Sequence, residues 1–297
     1  MEKKIKKFIS KRPECLGVYG YGSGVFKQVG YEEDDKVQLD LIFIVEDIKK
    51  WNVANIEMNP MDYSKSSKKY FIKTSREKLM GLTGITYLSN IEEDGNTFKY
   101  GVVDYEAFKN SLSTWNSFYV PGRFQKTIKE FKSNDDIRKL IIDNRRSAVI
   151  TSLLISDSNT NVKNLLVKLC QLSYAGDTRM AFAENPRKVL NIVEGSYDKF
   201  IDMYLPILKE YSEVKEDEIV FGADILKQVF NLPECLAKYL KDKELTTKES
   251  RELEIMNYLS EINKKESKEQ TMQGLKTNGL SKSVGYALAK IKKRFKK

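Results

Sequence analysis

The 297-residue chain contains no histidine at all. That absence excludes Ser-His-Asp and Cys-His triads, His-ligated zinc and imidazole acid–base chemistry. Any catalysis has to use carboxylates, lysine, arginine, tyrosine, hydroxyls or a hard metal ion. Cysteine is scarce: Cys15, Cys170 and Cys235 are an odd number, widely spaced and without a CxxC pair. They describe neither a disulfide framework nor a cysteine zinc site, and a reducing compartment is expected. Long apolar runs are missing too. Leu39–Val45 and Ile150–Ile155 are far short of the ~20 residues that span a bilayer. The N-terminal stretch Met1–Phe8 is basic, with an acid at position 2 and no apolar core or cleavage site, so it reads as neither a signal nor a transit peptide.

What is present is the composition of a folded protein, 41% hydrophobic and 31% charged, with enough chain for two domains and a sizeable core. Lys and Arg (51) exceed Asp and Glu (42), for a formal charge of +9, which points to an anionic partner: nucleic acid, nucleotide phosphate or an acidic membrane surface.

The first third alternates short apolar runs with turn residues. Cys15–Tyr21 is expected to be a strand entering the glycine-rich turn 20–24. Gln38–Val45 is the clearest strand, and Phe98–Val103 is a third. Beyond Pro121-Gly122 the period becomes helical, with amphipathic stretches predicted at Lys126–Phe131, Asp136–Ser156, Val162–Ser173, Tyr197–Tyr211 and Glu249–Asn263. The charged stretch Lys241–Lys268 reads as a solvated helix pair or a connection. The expected architecture is α+β: a nucleotidyltransferase-fold domain over 1–120, a mostly helical domain over 121–245, and a C-terminal region over 246–297.

A strand, then Gly22-Ser23, then a second strand carrying Asp40 is the arrangement of a nucleotidyltransferase core, or else a tight turn in an ordinary sheet. Glycines let backbone N–H groups approach phosphate oxygens, Ser23 adds a hydroxyl, and a strand carboxylate can hold Mg²⁺. Alternation places Leu39, Leu41, Phe43 and Val45 on one face and Asp40, Ile42 and Ile44 on the other. A carboxylate on an apolar face is costly unless paired or metal-bound. A second acid two residues on would be usual, but that position is Ile42. Glu46 is about 20 Å away along the strand at ~3.3 Å per residue, too far to share an ion. The remaining metal ligand is then either Asp104, at the end of the Phe98–Val103 strand, or an acid from the second domain.

Longer motifs narrow the reading. Tyr21-Gly-Ser-Gly-Val-Phe-Lys-Gln28 followed by Leu39–Asp47 resembles the mitochondrial CDP-diacylglycerol synthase family, the translocator assembly and maintenance proteins. So do Trp51–Asn55 with Asn59 and Tyr63-Ser64, Lys99-Tyr-Gly-Val102, Tyr119–Lys126, Leu172–Met180 and Lys188–Val193, in the family's order and over nearly the whole chain. Two positions depart: Asn52 and Asp62 stand where the family usually has His, and they are expected to be structural or substrate-positioning.

The resemblance implies a winged-helix-like second domain and a reaction joining CTP and phosphatidic acid into CDP-diacylglycerol and pyrophosphate. The attacking lipid phosphate is already anionic, so no strong general base is needed. Catalysis becomes positioning plus charge neutralisation. By this reading Gly22 and Ser23 hold the triphosphate and Asp40 holds Mg²⁺. Lys99, Arg123 and Lys126 contact phosphates, and Asp177 with Arg179 adds a second carboxylate and a cation. An RNA-directed or small-acceptor nucleotidyltransferase, and a non-catalytic scaffold on the same fold, are the competing readings, although nucleic acid is not the expected partner. The family usually carries a mitochondrial presequence, and only 10 of the 51 basic residues are Arg. From these the expectation is a bacterial relative, cytoplasmic and attached peripherally to the inner face of the cell membrane.

The C-terminal stretch supports a membrane partner. Val284, Leu288, Ile291 and Phe295 form one helical stripe beside Lys292, Lys293, Arg294 and further lysines. A basic amphipathic helix of this kind lies in an anionic membrane interface or, failing that, docks on the protein core.

Overall fold

The computed structural model describes residues 1–22, 24–26, 38–176 and 187–278. Helix α1 (Glu2–Ser10) precedes β1 (Gly17–Tyr21) and β2 (Leu39–Val45). Helices α2 (Ile48–Met58), α3 (Lys65–Lys73) and α4 (Arg76–Met80) follow, then the hairpin β3 (Ile85–Glu93) and β4 (Asn96–Asp104). Asp94 and Gly95 form the hairpin turn with φ of +50° and +72°, the left-handed pair that matches strand twist in a two-residue connection. After α5 (Tyr105–Thr114) and the single turn α6 (Pro121–Phe124), β5 (Ile128–Lys132) completes the sheet.

The sheet order is β3-β4-β2-β1-β5, with β2 and β4 parallel and the other neighbours antiparallel. Both faces are covered. Leu39, Leu41, Phe43 and Val45 join Phe98, Tyr100 and Val102 under α1, α2 and α3. Ile42 and Ile44 join Tyr19, Tyr87, Val103, Phe108 and Phe124 on the other side. The alternation inferred for β2 holds residue by residue.

Three differences from the sequence-based expectation have physical causes. Residues 126–131 were expected to be helical, but 128–132 pair with β1. A five-residue amphipathic stretch fits either period, and the unpaired edge of β1 decides it. The sheet therefore extends beyond residue 120. Strand β3, not foreseen, closes the opposite edge. The long helix α7 (Asp135–Leu154) belongs to both halves: Ile137 and Ile141 pack on the sheet, whereas Ala148–Leu154 lie in the helical core.

That second core is built by α7, α8 (Val162–Gln171), α9 (Lys188–Glu194), α10 (Tyr197–Tyr211) and α11 (Glu234–Leu240). Beside it β6 (Asn159–Asn161), β7 (Glu213–Lys215) and β8 (Glu218–Val220) form a small sheet of order β6-β8-β7, a winged-helix-like arrangement.

Helix α12 (Lys248–Asn278) is longer than the expected Glu249–Asn263 and is a strap, not a solvated connection. Ile255 and Leu259 enter the helical core, and the Asn263 amide donates to the Ala175 carbonyl at 2.9 Å. Further on it grips the sheet domain. Glu266 accepts the Phe118 N–H at 3.0 Å, Glu269 accepts the Leu82 N–H at 2.9 Å, and Gln273 donates to the Leu79 carbonyl at 3.0 Å. Burial pushes the Glu266 carboxyl up to about 7 from 4.5. A carboxyl whose folded pKa is raised stabilises the fold fully below its unfolded value and loses that contribution as pH rises through the folded one. Wild-type urea midpoints are therefore expected to fall between pH 5 and pH 8, and Glu266→Gln should flatten that slope.

Candidate active site

The site is built where β1 ends and β2 begins. Antiparallel pairing sets Tyr21 beside Asp40, and parallel pairing sets Lys99 beside Asp40 on its other flank. Directly paired residues point to the same face, so the three side chains stand in a row. Gly22 follows with φ +77°, and a Cβ there would lie 3.3 Å from Asp40 Oδ2. Only glycine suits both the left-handed backbone and the closeness to the carboxylate. The Gly22 carbonyl then accepts the N–H groups of Val25 (3.1 Å) and Phe26 (3.0 Å), which turns the chain back.

Aromatic rings carry cations to this row. Lys99 Nζ is 4.7 Å from the Tyr87 ring centre. The Arg123 guanidinium lies 3.7 Å over Tyr119 and about 6 Å from both Tyr21 and Tyr87. Arg123 Nη1 also donates to the Tyr119 carbonyl at 2.6 Å. Such contacts hold a cation in place without neutralising it, as a carboxylate would. Burial pushes the Tyr21 and Tyr87 phenols above their ordinary range, so both stay neutral donors. Thus Gly22, Asp40, Lys99 and Arg123 converge on one end of the sheet.

Lys126 stands one turn beyond Arg123. It donates to the Gly122 carbonyl at 2.7 Å and to Ser173 Oγ, and lies 4.8 Å over the Tyr174 ring. Lys188 approaches the same ring at 5.3 Å. The motifs at 119–126 and 172–176 therefore meet in space, because Gly122 admits the turn Leu172–Tyr174 against its own backbone. A Cβ on Gly122 would come 2.5 Å from Ser173 Cβ.

Asp104 does not join this group. It lies five residues along β4 from Lys99, about 16 Å at ~3.3 Å per residue. It is fully buried, receives Arg76 Nε at 2.8 Å and Nη2 at 2.7 Å, and accepts the Ile48 and Glu106 N–H groups. Asp104 caps α5 and anchors Arg76, so it is not a partner for Asp40 in holding an ion. Its register partner is Val45, so it also stands on the other face of the sheet from Asp40, which its place at the end of the strand did not reveal.

Asn52 and Asp62 lie on the opposite side of the sheet from Asp40. Asn52 donates to the Ile48 carbonyl and accepts from Tyr63. Asp62 accepts from Tyr100 at 2.7 Å and from Arg12 at 3.0 Å, and Arg12 also reaches Glu93. This buried network ties α1 to the sheet and explains both positions structurally. Ser23, Asp177, Arg179 and the stretch carrying Val284, Leu288, Ile291, Lys292, Lys293, Arg294 and Phe295 lie outside the described residues. Among the described residues no group of three or more Asp, Glu or Cys is placed to hold a metal.

Tyr87 lies outside the motifs, and Tyr21, Tyr119, Tyr174 and Lys188 lie within them without a role that the sequence alone assigns. Tyr21, Tyr119 and Tyr174 border the glycine motifs, a signal visible only once the cations are seen resting on them.

A five-stranded mixed sheet with its glycine turn against a strand carboxylate and cations gathered at that end defines the nucleotidyltransferase class. The family model described as mitochondrial phosphatidate cytidylyltransferase matches residues 5–232, and the chain belongs to that family. It is similar to proteins named mitochondrial phosphatidate cytidylyltransferase from several eukaryotes. The Schizosaccharomyces pombe protein is 38% identical over 78% of this chain and 58% of its own length. The Saccharomyces cerevisiae protein is 33% identical over 95% and 67%, and the Bos taurus protein 30% over 98% and 94%. The chain thus spans little more than half of the first relative and nearly all of the bovine one. These names overturn the expectation of a cytoplasmic enzyme on the inner face of a bacterial cell membrane, since the relatives are mitochondrial by name. Lysine-rich composition carries no address, which is why it misled.

Gly122→Ala should drive α6 away from Ser173 and lower stability by about 1–3 kcal/mol, the range for overpacking a close contact. Urea denaturation checks this.

Proposed function

We propose that the protein transfers CMP from CTP to phosphatidic acid, giving CDP-diacylglycerol and pyrophosphate. The convergence of Gly22, Asp40, Lys99 and Arg123 at one end of the sheet, in a chain of this family, carries the reading. The lipid phosphate oxygen attacks the α-phosphorus of CTP and pyrophosphate leaves from the opposite side. Because that oxygen is already an anion, the missing histidine costs nothing. What remains is to position two polyanions and to neutralise the charge that builds up on the departing pyrophosphate.

Arg123 and Lys99 supply cations at the Asp40 end of the sheet, and Lys126 adds one beside Ser173. The neutral Tyr21 and Tyr87 rings keep Lys99 and Arg123 oriented without quenching them. Gly22 leaves room for a phosphate oxygen beside the backbone.

Asp40 fits a hard divalent cation. It is a carboxylate on an otherwise apolar face, facing a glycine whose missing side chain leaves space at Oδ2. Mg²⁺ is the ion we propose, with Asp177 as the further carboxylate. Such an ion neutralises phosphate charge when bound. Ser23 and Arg179 are proposed as further nucleotide contacts, and the basic amphipathic stretch 281–297 as the contact to an anionic membrane surface.

The test is a product assay with purified protein, Mg²⁺, CTP and phosphatidic acid. Intact protein should form CDP-diacylglycerol in mixed micelles and on liposomes. Asp40→Asn should cut the rate by at least about 100-fold, the scale on which removing one preorganised electrostatic contact acts. Removal of residues 281–297 should spare the micelle reaction and depress the liposome reaction. A folded protein that yields no product under any of these conditions would sink the proposal in favour of a non-catalytic scaffold.

A further inference from the structure

Helix α7 carries two consecutive arginines with opposite fates. Arg146 turns to the surface and pairs with Asp143 at 3.1 Å and Glu210 at 3.1 Å, an ordinary exposed ion-pair cluster. Arg145, rotated about 100° around the helix, turns inward toward the contact between the sheet and the helical core. Its Nε donates to the Phe124 carbonyl at 3.2 Å. Among the described residues no carboxylate lies within ion-pairing distance of it. Its neighbours are the phenols of Tyr19 and Tyr204, and burial pulls its pKa down.

Its placement is specific. Phe124 sits between Arg123 and Lys126, and its ring meets Tyr19 edge-on at 5.2 Å. Tyr204 is held by its own hydrogen bond to the Gln125 carbonyl at 2.6 Å. Tyr19 is two residues before Tyr21 on β1 and shares its face. Arg145 is thus fastened to the same short turn that presents Arg123 and Lys126. Its Nε is committed to that turn, while Nη1 and Nη2 make no hydrogen bond among the described residues and are not sealed from solvent. Partial burial of a guanidinium without a counter-ion carries a desolvation cost, and among the described residues four of its five N–H donors have no protein acceptor. A planar pair of N–H-bearing nitrogens is the geometry that grips a phosphate through two oxygens.

We infer that Arg145 binds a phosphate group of one of the two substrates, extending the cationic lining of the site from Arg123 and Lys126 into the contact between sheet and helical core. The inference rests on the proposed phosphatidate reaction. The phosphate comes from the nucleotide, in its pyrophosphate portion, or from the lipid headgroup.

The test uses the full chain. Binding of CTP, CMP and inorganic pyrophosphate is measured by calorimetry, and KM for phosphatidic acid is measured in mixed micelles, for wild type, Arg145→Gln and Arg145→Lys. A nucleotide contact predicts that Arg145→Gln weakens CTP and pyrophosphate about 10- to 100-fold and leaves CMP nearly unchanged, with Arg145→Lys intermediate. A lipid contact predicts unchanged pyrophosphate binding and a KM for phosphatidic acid raised by a similar factor. Folded variants with neither change overturn the inference and leave Arg145 as an anchor for the Phe124 carbonyl. Should the variants not fold, wild type is treated with phenylglyoxal and Arg145 modification is mapped by mass spectrometry. Protection by pyrophosphate or by phosphatidate micelles supports the inference and identifies the source. Equal modification with and without both ligands overturns it, as does no modification of the free protein. Wild type that binds neither CTP nor phosphatidic acid removes the proposed function and this inference together. Wild type that binds both, with Arg145 indifferent, removes this inference alone.

Discussion

Strand β2 is buried on both faces, and most of the molecule follows from how the chain meets that demand. Its apolar side chains need two layers: α1, α2 and α3 beneath Leu41 and Phe43, and α5, α6 and the start of α7 above Ile42 and Ile44. Each fully buried Ile or Leu contributes roughly 1.5–3 kcal/mol. The strand is therefore held rigidly, and Asp40 at its entrance is held with it. A carboxylate on such a strand has little freedom to relax away from its neighbours, which is what a site for phosphate chemistry requires of its negative group.

The cations are supplied differently. Lys99 comes from the neighbouring strand by register, but Arg123 and Lys126 come from a single helical turn between the two cores, oriented by tyrosine rings and backbone carbonyls. A tyrosine ring or a carbonyl orients a cation without cancelling its charge. Acid pairing fixes arginines where no ligand is expected: Arg12 with Asp62 and Glu93, and Arg76 with Asp104. The contrast separates structural arginines from arginines held in reserve. It also accounts for Asn52 and Asp62, which belong to the first kind of network, on the side of the sheet away from Asp40.

Helices α7 and α12 make the two cores one structure. Helix α7 contributes apolar residues to each in turn, and α12 binds loops of the sheet domain through Glu266, Glu269 and Gln273 after leaving the helical core. The turn that carries Arg123 and Lys126, to which Arg145 is hydrogen-bonded, therefore lies between cores joined by two long helices and not by a linker alone. The protonation state of Glu266 bears on that attachment directly, because the carboxyl is buried against backbone N–H donors with burial opposing its charge.

Local order was legible in the residues themselves. The period-2 pattern of 39–45 settled which face Asp40 occupies, the 3.6-residue period located α7, α8 and α10, and the missing histidine limited the chemistry to charge and position. Glycine at 22 marked a close approach, whereas the contact of Gly122 with Ser173 had no signal in the residues around it. Residues 126–131 were ambiguous because six residues cannot distinguish two periods, and the open edge of β1, far away in sequence, made 128–132 a strand. Asp104 was one of two acids offered to complete an ion site with Asp40 until the parallel register of β2 and β4 put Lys99 beside Asp40 and Asp104 about 16 Å along the strand. The sequence by itself thus determined the elements, the faces and the kinds of chemistry possible, because these depend on neighbours a few residues apart. Only the tertiary structure decided which cations accompany Asp40 and that, among the described residues, no acid reaches Arg145, because those depend on pairings between residues tens of positions apart.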